Sequence, residues 1–188
     1  MAIRRIMEIG DEKLRKTCKR VEKFDLRLRL LLKDLADTMY RAEGVGLAAP
    51  QVGILRRAAV VDVGEGLVEL VNPEIISMEG EQSDVEGCLS VPGRRAMVTR
   101  PLRVTVRAQD SKGEAIEMTA EGFLARAFCH EMDHLDGVLY VDKMDREVFE
   151  DEEIAEDGET ASDAKPAVGN GKTASIAETA AVDKEERP

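Results

Sequence analysis

The chain's two histidines, His130 and His134, stand four residues apart in the run HEMDH. On an α-helix, positions i and i+4 lie one above the other, so two imidazoles there can share a single metal ion. Glu131 sits about 100° further round such a helix. It flanks the pair without being forced to ligate, which suits a general base for a water on the metal. The surrounding residues support a helix over Gly122–Leu135. Phe123, Ala127, His130 and His134 fall on or near one face, with Gly137 just past the end.

The rest of the chain predicts an α+β arrangement. Residues 24–42 carry Leu28, Leu31, Leu32, Leu35 and Met39 at helical spacing, with Asp25 as N-cap and Gly44 as C-terminal stop. A Gly-rich loop follows over 43–53. Residues 58–63 and 68–72 read as paired strands across Gly64–Gly66, and 73–77 continue the extended pattern. Residues 98–99 and 103–107 alternate, turn at 110–113 and alternate again over 114–119, a hairpin. Strands come first and a helix late, which disfavours alternating βαβ units. Aromatics are 3% of the 188 residues and Trp is absent, so the core must be aliphatic.

Charge separates a body from a tail. Residues 147–188 carry 13 acids against 4 bases, a net −9, whereas residues 1–146 carry 25 against 23, a net −2. The expected domain is therefore 1–146, followed by an acidic, disordered tail over 147–188. A short charged helix is the reading for 142–154. Neither part has the basic excess of a nucleic-acid footprint. No stretch approaches the roughly 20 apolar residues of a membrane helix. No signal peptide is apparent at the start, so the expected location is the cytoplasm.

Two histidines leave a catalytic metal short of a ligand, since such sites usually take three from the protein and keep one position open. HEMDHLDGVLY follows the start of the metzincin motif through Gly137, but Tyr140 stands where that motif needs a third histidine. A thermolysin-like site would draw on Glu150, Glu152 or Glu153, which lie in an acidic run with little apolar support. Cys88, in EGCLS (86–90), is the better candidate. A thiolate is a strong ligand, and the neighbouring Gly87 permits an unusual backbone path or close approach. Cys18, in the basic KTCKR, reads as surface. Cys129 reads as a small core residue.

GVGLAAPQ (44–51), EGCLS (86–90) and HEMDH (130–134), in this order and spacing, resemble the three motifs of the peptide deformylases of bacterial type. The resemblance covers about residues 1–144. It implies a fold in which antiparallel strands pack around a central HExxH helix. It also implies Cys88, His130 and His134 as ligands of Fe2+, with Ni2+, Co2+ or Zn2+ as substitutes. Glu131 would be the acid/base, and the Gln51 amide and the Leu89 backbone N–H would face the oxyanion. The implied reaction removes the formyl group from N-formylmethionyl peptides of nascent chains and releases formate.

By the same resemblance Val45, Gly46, Leu47, Glu86, Gly87, Phe123 and Ala127 belong to the substrate pocket, with His130 beside them. A monomer without nucleic-acid or membrane partners is expected. Arg100 matches a recurring family arginine. Two features depart from the family. Cys129 stands where glutamine commonly precedes the first histidine, which leaves the hydrogen bonding around the site open. The acidic tail differs from the basic C-terminal helix by which some members dock on the ribosome, which argues against docking by that route; a transient ribosome contact stays among the partners the resemblance implies. The competing readings are a metallopeptidase using a downstream acid and a protein of this fold without turnover.

Overall fold

The computed structural model describes residues 2–149. In chain order its main elements are α1 (Leu26–Arg41), β1 (Gly46–Ala48), β2 (Ala58–Val61), β3 (Val68–Glu79), β4 (Gln82–Cys88), β5 (Val91–Arg100), β6 (Arg103–Gln109), β7 (Ala115–Glu121), α2 (Gly122–Leu135) and β8 (Arg146–Val148). The strands form a five-stranded sheet in the order β1-β2-β3-β6-β7 and a three-stranded sheet in the order β4-β5-β8. Every pairing between these strands is antiparallel. This is the α+β arrangement that the element order predicts.

The apolar stripe of α1 is buried as its spacing requires. Leu28, Leu31, Leu32, Leu35 and Met39 pack on Leu47, Ala58, Val60 and Val71 of the larger sheet. Asp25 caps the helix by accepting from the N–H groups of Arg27 and Leu28. Its other end differs from expectation. Glu43, not Gly44, takes the left-handed conformation (φ 56°). The Glu43 N–H bonds to the Tyr40 carbonyl and the Gly44 N–H to the Met39 carbonyl, the pairing of a Schellman end. Gly44 is small for another reason: a Cβ there would lie 2.7 Å from Leu89 Cδ1.

Helix α2 is buried nearly all round, by apolar residues on the sides that meet the core and by polar residues elsewhere. Ala125, Ala127, Phe128, Cys129 and Met132 join a core with Val61, Leu70, Val104 and Val106. Immediately after His134 the helix closes. The Gly137 N–H bonds to the His134 carbonyl and the Val138 N–H to the Asp133 carbonyl. Gly137 has φ 77°, and a Cβ there would approach the Arg15 backbone to 2.8 Å.

Cys18 is not on the surface. It packs among Ala48, Ala59 and Leu135, and its N–H donates to the Leu135 carbonyl. The neighbouring Lys16, Thr17, Lys19 and Arg20 all point to solvent, so the basic segment runs over the body with its small thiol turned inward. Burial pushes that thiol's pKa up to about 11. Cys129 is the core residue expected.

The charged helix expected over 142–154 is absent where the chain is described. Tyr140–Asp142 forms a single 3-10 turn, and β8 pairs with β5. Residues 150–188, which hold most of the acidic tail and the alternative carboxylate ligands Glu150, Glu152 and Glu153, lie outside the described residues.

Strand β3 lies between β2 and β6 and bends along its length. Asn72 has φ 52°, and the register with β6 shifts between Val71 and Glu74. Proline at 73 suits such a bulge, where a ladder N–H is not needed. The Asn72 side chain accepts from the Val21 N–H and donates to the Val21 carbonyl and to Gln109 Oε1. Asn72→Ala strands buried backbone groups of Val21 and places a Cβ-bearing residue without that side chain in the left-handed region. Each buried polar group left unsatisfied costs about 1–3 kcal/mol. With two such groups, urea unfolding should show a loss of about 2–6 kcal/mol.

Candidate active site

Three chain segments converge on one point. Strand β4 ends at Cys88, and a tight turn through Leu89 and Ser90 leads into β5, with Cys88 paired to Val91. Helix α2 supplies His130 and His134. The ligand atoms of Cys88, His130 and His134 all lie within 4.8 Å of one another. The Cys88 sulfur is 3.2 Å from His134 Nε2. The two imidazole rings have centroids 5.0 Å apart and planes at 72°, an edge-to-face arrangement.

The set fits a metal ion by its chemistry. A soft thiolate and two imidazoles are donors for a divalent transition metal. Burial lowers the proton affinity of His134. For His130, burial also lowers it, but the Cys88 sulfur and the Glu86 carboxylate outweigh that and raise it to about 10.

His130 is oriented from behind. Its Nδ1 lies 2.9 Å from Glu86 Oε2, which leaves Nε2 to face the centre. Glu86 is itself gripped. Arg100 donates to both of its oxygens at 2.9 Å, and Arg126 donates to Oε1 at 2.7 Å. Burial alone would raise the Glu86 pKa, yet the bonds from Arg100 and His130 hold it far below the carboxylate range. Arg100 also bonds Asp133, which pairs with Lys143. The arginine matched to the family is thus a buried link between β4 and α2. Cys129 faces away from the thiol and the rings, toward a second, smaller cleft shared with Met132 and Asp133. The substitution for glutamine therefore leaves the His130 partner in place.

Glu131 is buried (4% exposed) beside the ligands, and its Oε2 has no hydrogen-bond partner among the described residues. Burial pushes its pKa up to about 7. Gly46 makes room for it, since a Cβ there would lie 2.7 Å from the Glu131 carboxyl carbon. Gln51 follows from the short helix Ala49–Val52. Its Oε1 accepts from the Ala48 N–H at 2.8 Å, and its Nε2 lies 3.1 Å from Ser90 Oγ and 3.6 Å from the Cys88 sulfur.

The group opens onto a cleft of about 850 Å³. Val45, Gly46, Gln51, Glu86, Gly87, Cys88, Leu89, Phe123, Ala127, His130 and Glu131 all line it, so most of the residues singled out from the sequence meet here. Val45 and Phe123 present exposed apolar surface. Gly87 lacks the left-handed backbone that would demand glycine, and a Cβ there would stand in open space.

Leu47 is the exception. It is fully buried against α1, because alternation along β1 turns it to the face opposite Gly46. Sequence reasoning missed Ser90, Arg126 and Tyr140. Tyr140 stacks on His130 at 5.9 Å and donates to the Arg94 carbonyl. A lone arginine on the most apolar helix was the available signal for Arg126. For Ser90 it was membership of EGCLS.

Comparisons with known proteins agree with this geometry. The family model described as polypeptide deformylase matches residues 3–150. The peptide deformylase of Caldicellulosiruptor bescii is 60% identical over 152 residues, covering 81% of this chain and 92% of that protein. That of Acetivibrio thermocellus is 57% identical over 152 residues, 81% of this chain and 89% of its own. The crystal structure of the Thermotoga maritima peptide deformylase superposes with a TM-score of 0.76 at 45% identity, covering 77% of this chain and 99% of that one. The Synechococcus elongatus enzyme in complex with actinonin does so with a TM-score of 0.73 at 42% identity, over 75% and 78%. On the family model and these relatives, the chain belongs to the peptide deformylase family of hydrolases.

Proposed function

We propose that the chain removes the formyl group from N-formylmethionyl ends of nascent peptides and releases formate. The observation that carries this reading is the unpartnered Glu131 Oε2, buried beside the Cys88, His130 and His134 donors with the Gln51 amide close by. A metal ion held by these three residues, Fe2+ natively with Ni2+, Co2+ or Zn2+ as substitutes, would supply Lewis acidity and bring the pKa of a water toward ~7.

The chain's own groups then divide the work. Glu131 takes a proton from the attacking water and returns it to the departing nitrogen, base first and acid second. A carboxyl with a pKa near neutrality is matched to both tasks. The Gln51 side-chain N–H and the Leu89 backbone N–H donate to the oxyanion of the tetrahedral intermediate. Val45, Phe123 and Ala127 offer the methionine side chain an apolar wall. The small Gly87, with open space where a Cβ would stand, lets the peptide backbone come close. No helix among the described residues is long and apolar enough to cross a membrane. We place the activity in the cytoplasm, on peptide substrates rather than nucleic acid, with the protein acting as a monomer. Residues 1–146 form the catalytic domain in this reading, with β8 (Arg146–Val148) extending its pairing just past that boundary, and the acidic tail over 147–188 takes no part in the chemistry.

Formate release from formyl-Met-Ala-Ser by anaerobically purified protein tests the activity. Glu131→Gln should lower kcat by about 10²–10⁴-fold while metal content, measured by elemental analysis, stays at the parent level. Absence of formate release from iron- or nickel-loaded parent protein would contradict the proposal. Glu86→Gln keeps the volume but removes the charge that orients His130 and answers two arginines. It should weaken metal affinity by about 10–100-fold, read by competition with a chelator.

A further inference from the structure

We propose that Ser90 is a positioning residue that fixes the Gln51 amide for oxyanion binding; this rests on the role given to Gln51 above. Gln51 is 1% exposed and its amide is pinned at both ends. The Ala48 N–H donates to Oε1 at 2.8 Å, so the oxygen cannot exchange places with the nitrogen without setting two donors against each other. One proton of Nε2 goes to Ser90 Oγ at 3.1 Å. The second points toward the Cys88 sulfur at 3.6 Å, a loose contact at the cleft end of the amide. That second N–H is the one free to turn to an oxygen arriving beside the metal ligands. Ser90 Oγ serves as the pivot. It occupies the first proton, restricts rotation of the amide plane and leaves a single donor direction.

Among the described residues the hydroxyl makes no other bond that would explain its place. Ser90 is fully buried. Its backbone meets separate needs: its N–H lies 3.4 Å from the Cys88 sulfur, and its carbonyl accepts from the Ile9 N–H at 2.8 Å. Both backbone bonds survive a change of side chain. Ser90→Ala therefore removes the contact to Gln51 and spares the support given to the thiolate.

A double-mutant cycle tests this. Full-length protein in four forms, parent, Ser90→Ala, Gln51→Ala and the double variant, is loaded with nickel and assayed on formyl-Met-Ala-Ser. Gln51→Ala should lower kcat about 10²-fold. Ser90→Ala should lower kcat roughly 10-fold with KM and nickel content unchanged, and should change kcat less than about 2-fold when added to Gln51→Ala. Equal losses in both backgrounds would overturn the proposal, because Ser90 would then act independently of Gln51. A Gln51→Ala variant with full kcat would remove the premise, and the proposal with it. A second measurement needs no variant of Ser90. In zinc-loaded parent protein, the Gln51 side-chain amide protons should exchange slowly with solvent. Rapid exchange like that of a free glutamine would overturn the proposal.

Discussion

The buried carboxylate of Glu86 is the interaction on which the site depends. It sits on β4, accepts from Arg100 of β5, and accepts from Arg126 and His130 of α2. Four charge-assisted bonds on two oxygens join the small sheet to the helix that carries both imidazoles. Removing one partner from such a cluster leaves an uncompensated buried charge, which costs far more than an exposed pair is worth. The same carboxylate sets the direction of the His130 ring. Fold and chemistry thus share one anchor, and Cys88 lies two residues further along the same strand.

Close backbone approach is the second requirement, and small residues meet it. Gly44 admits the Leu89 side chain, and Gly46 admits the Glu131 carboxylate. The segment between α1 and β2 passes directly over the site and delivers Gln51 at its far end. A larger side chain at either glycine would push this segment away from the helix and the turn it must touch. The motif GVGLAAPQ is therefore mainly a statement about distance: two clearances, then an amide.

Much of this was legible in the sequence. Helix α2 has the bounds its periodicity gives, because a helix buried on nearly every side shows its pattern without interruption. The convergence of Cys88 with His130 and His134 followed from the motifs and their chemistry. What escaped has local causes. Strands β4 and β5 carry Gly87, Pro92 and Gly93 and alternate weakly. Strand β8 has three residues and exists through its pairing with β5. The resemblance puts Leu47 in the pocket beside Val45 and Gly46, but in a three-residue strand adjacent side chains face opposite ways. Cys18 was assigned to the surface from its basic neighbours, whose charges report their own exposure and not that of the thiol between them. The role of Arg126 depends on a carboxylate forty residues away, which no local pattern discloses.

The central claim is that one sulfur and two imidazole nitrogens from distant segments bind a single metal ion. X-ray absorption at the metal edge of anaerobically purified protein measures this directly. The account predicts one sulfur and two imidazole nitrogens among the scatterers, with the sulfur contribution lost in Cys88→Ser. A shell of nitrogen and oxygen alone in the parent, unchanged by Cys88→Ser, would contradict it.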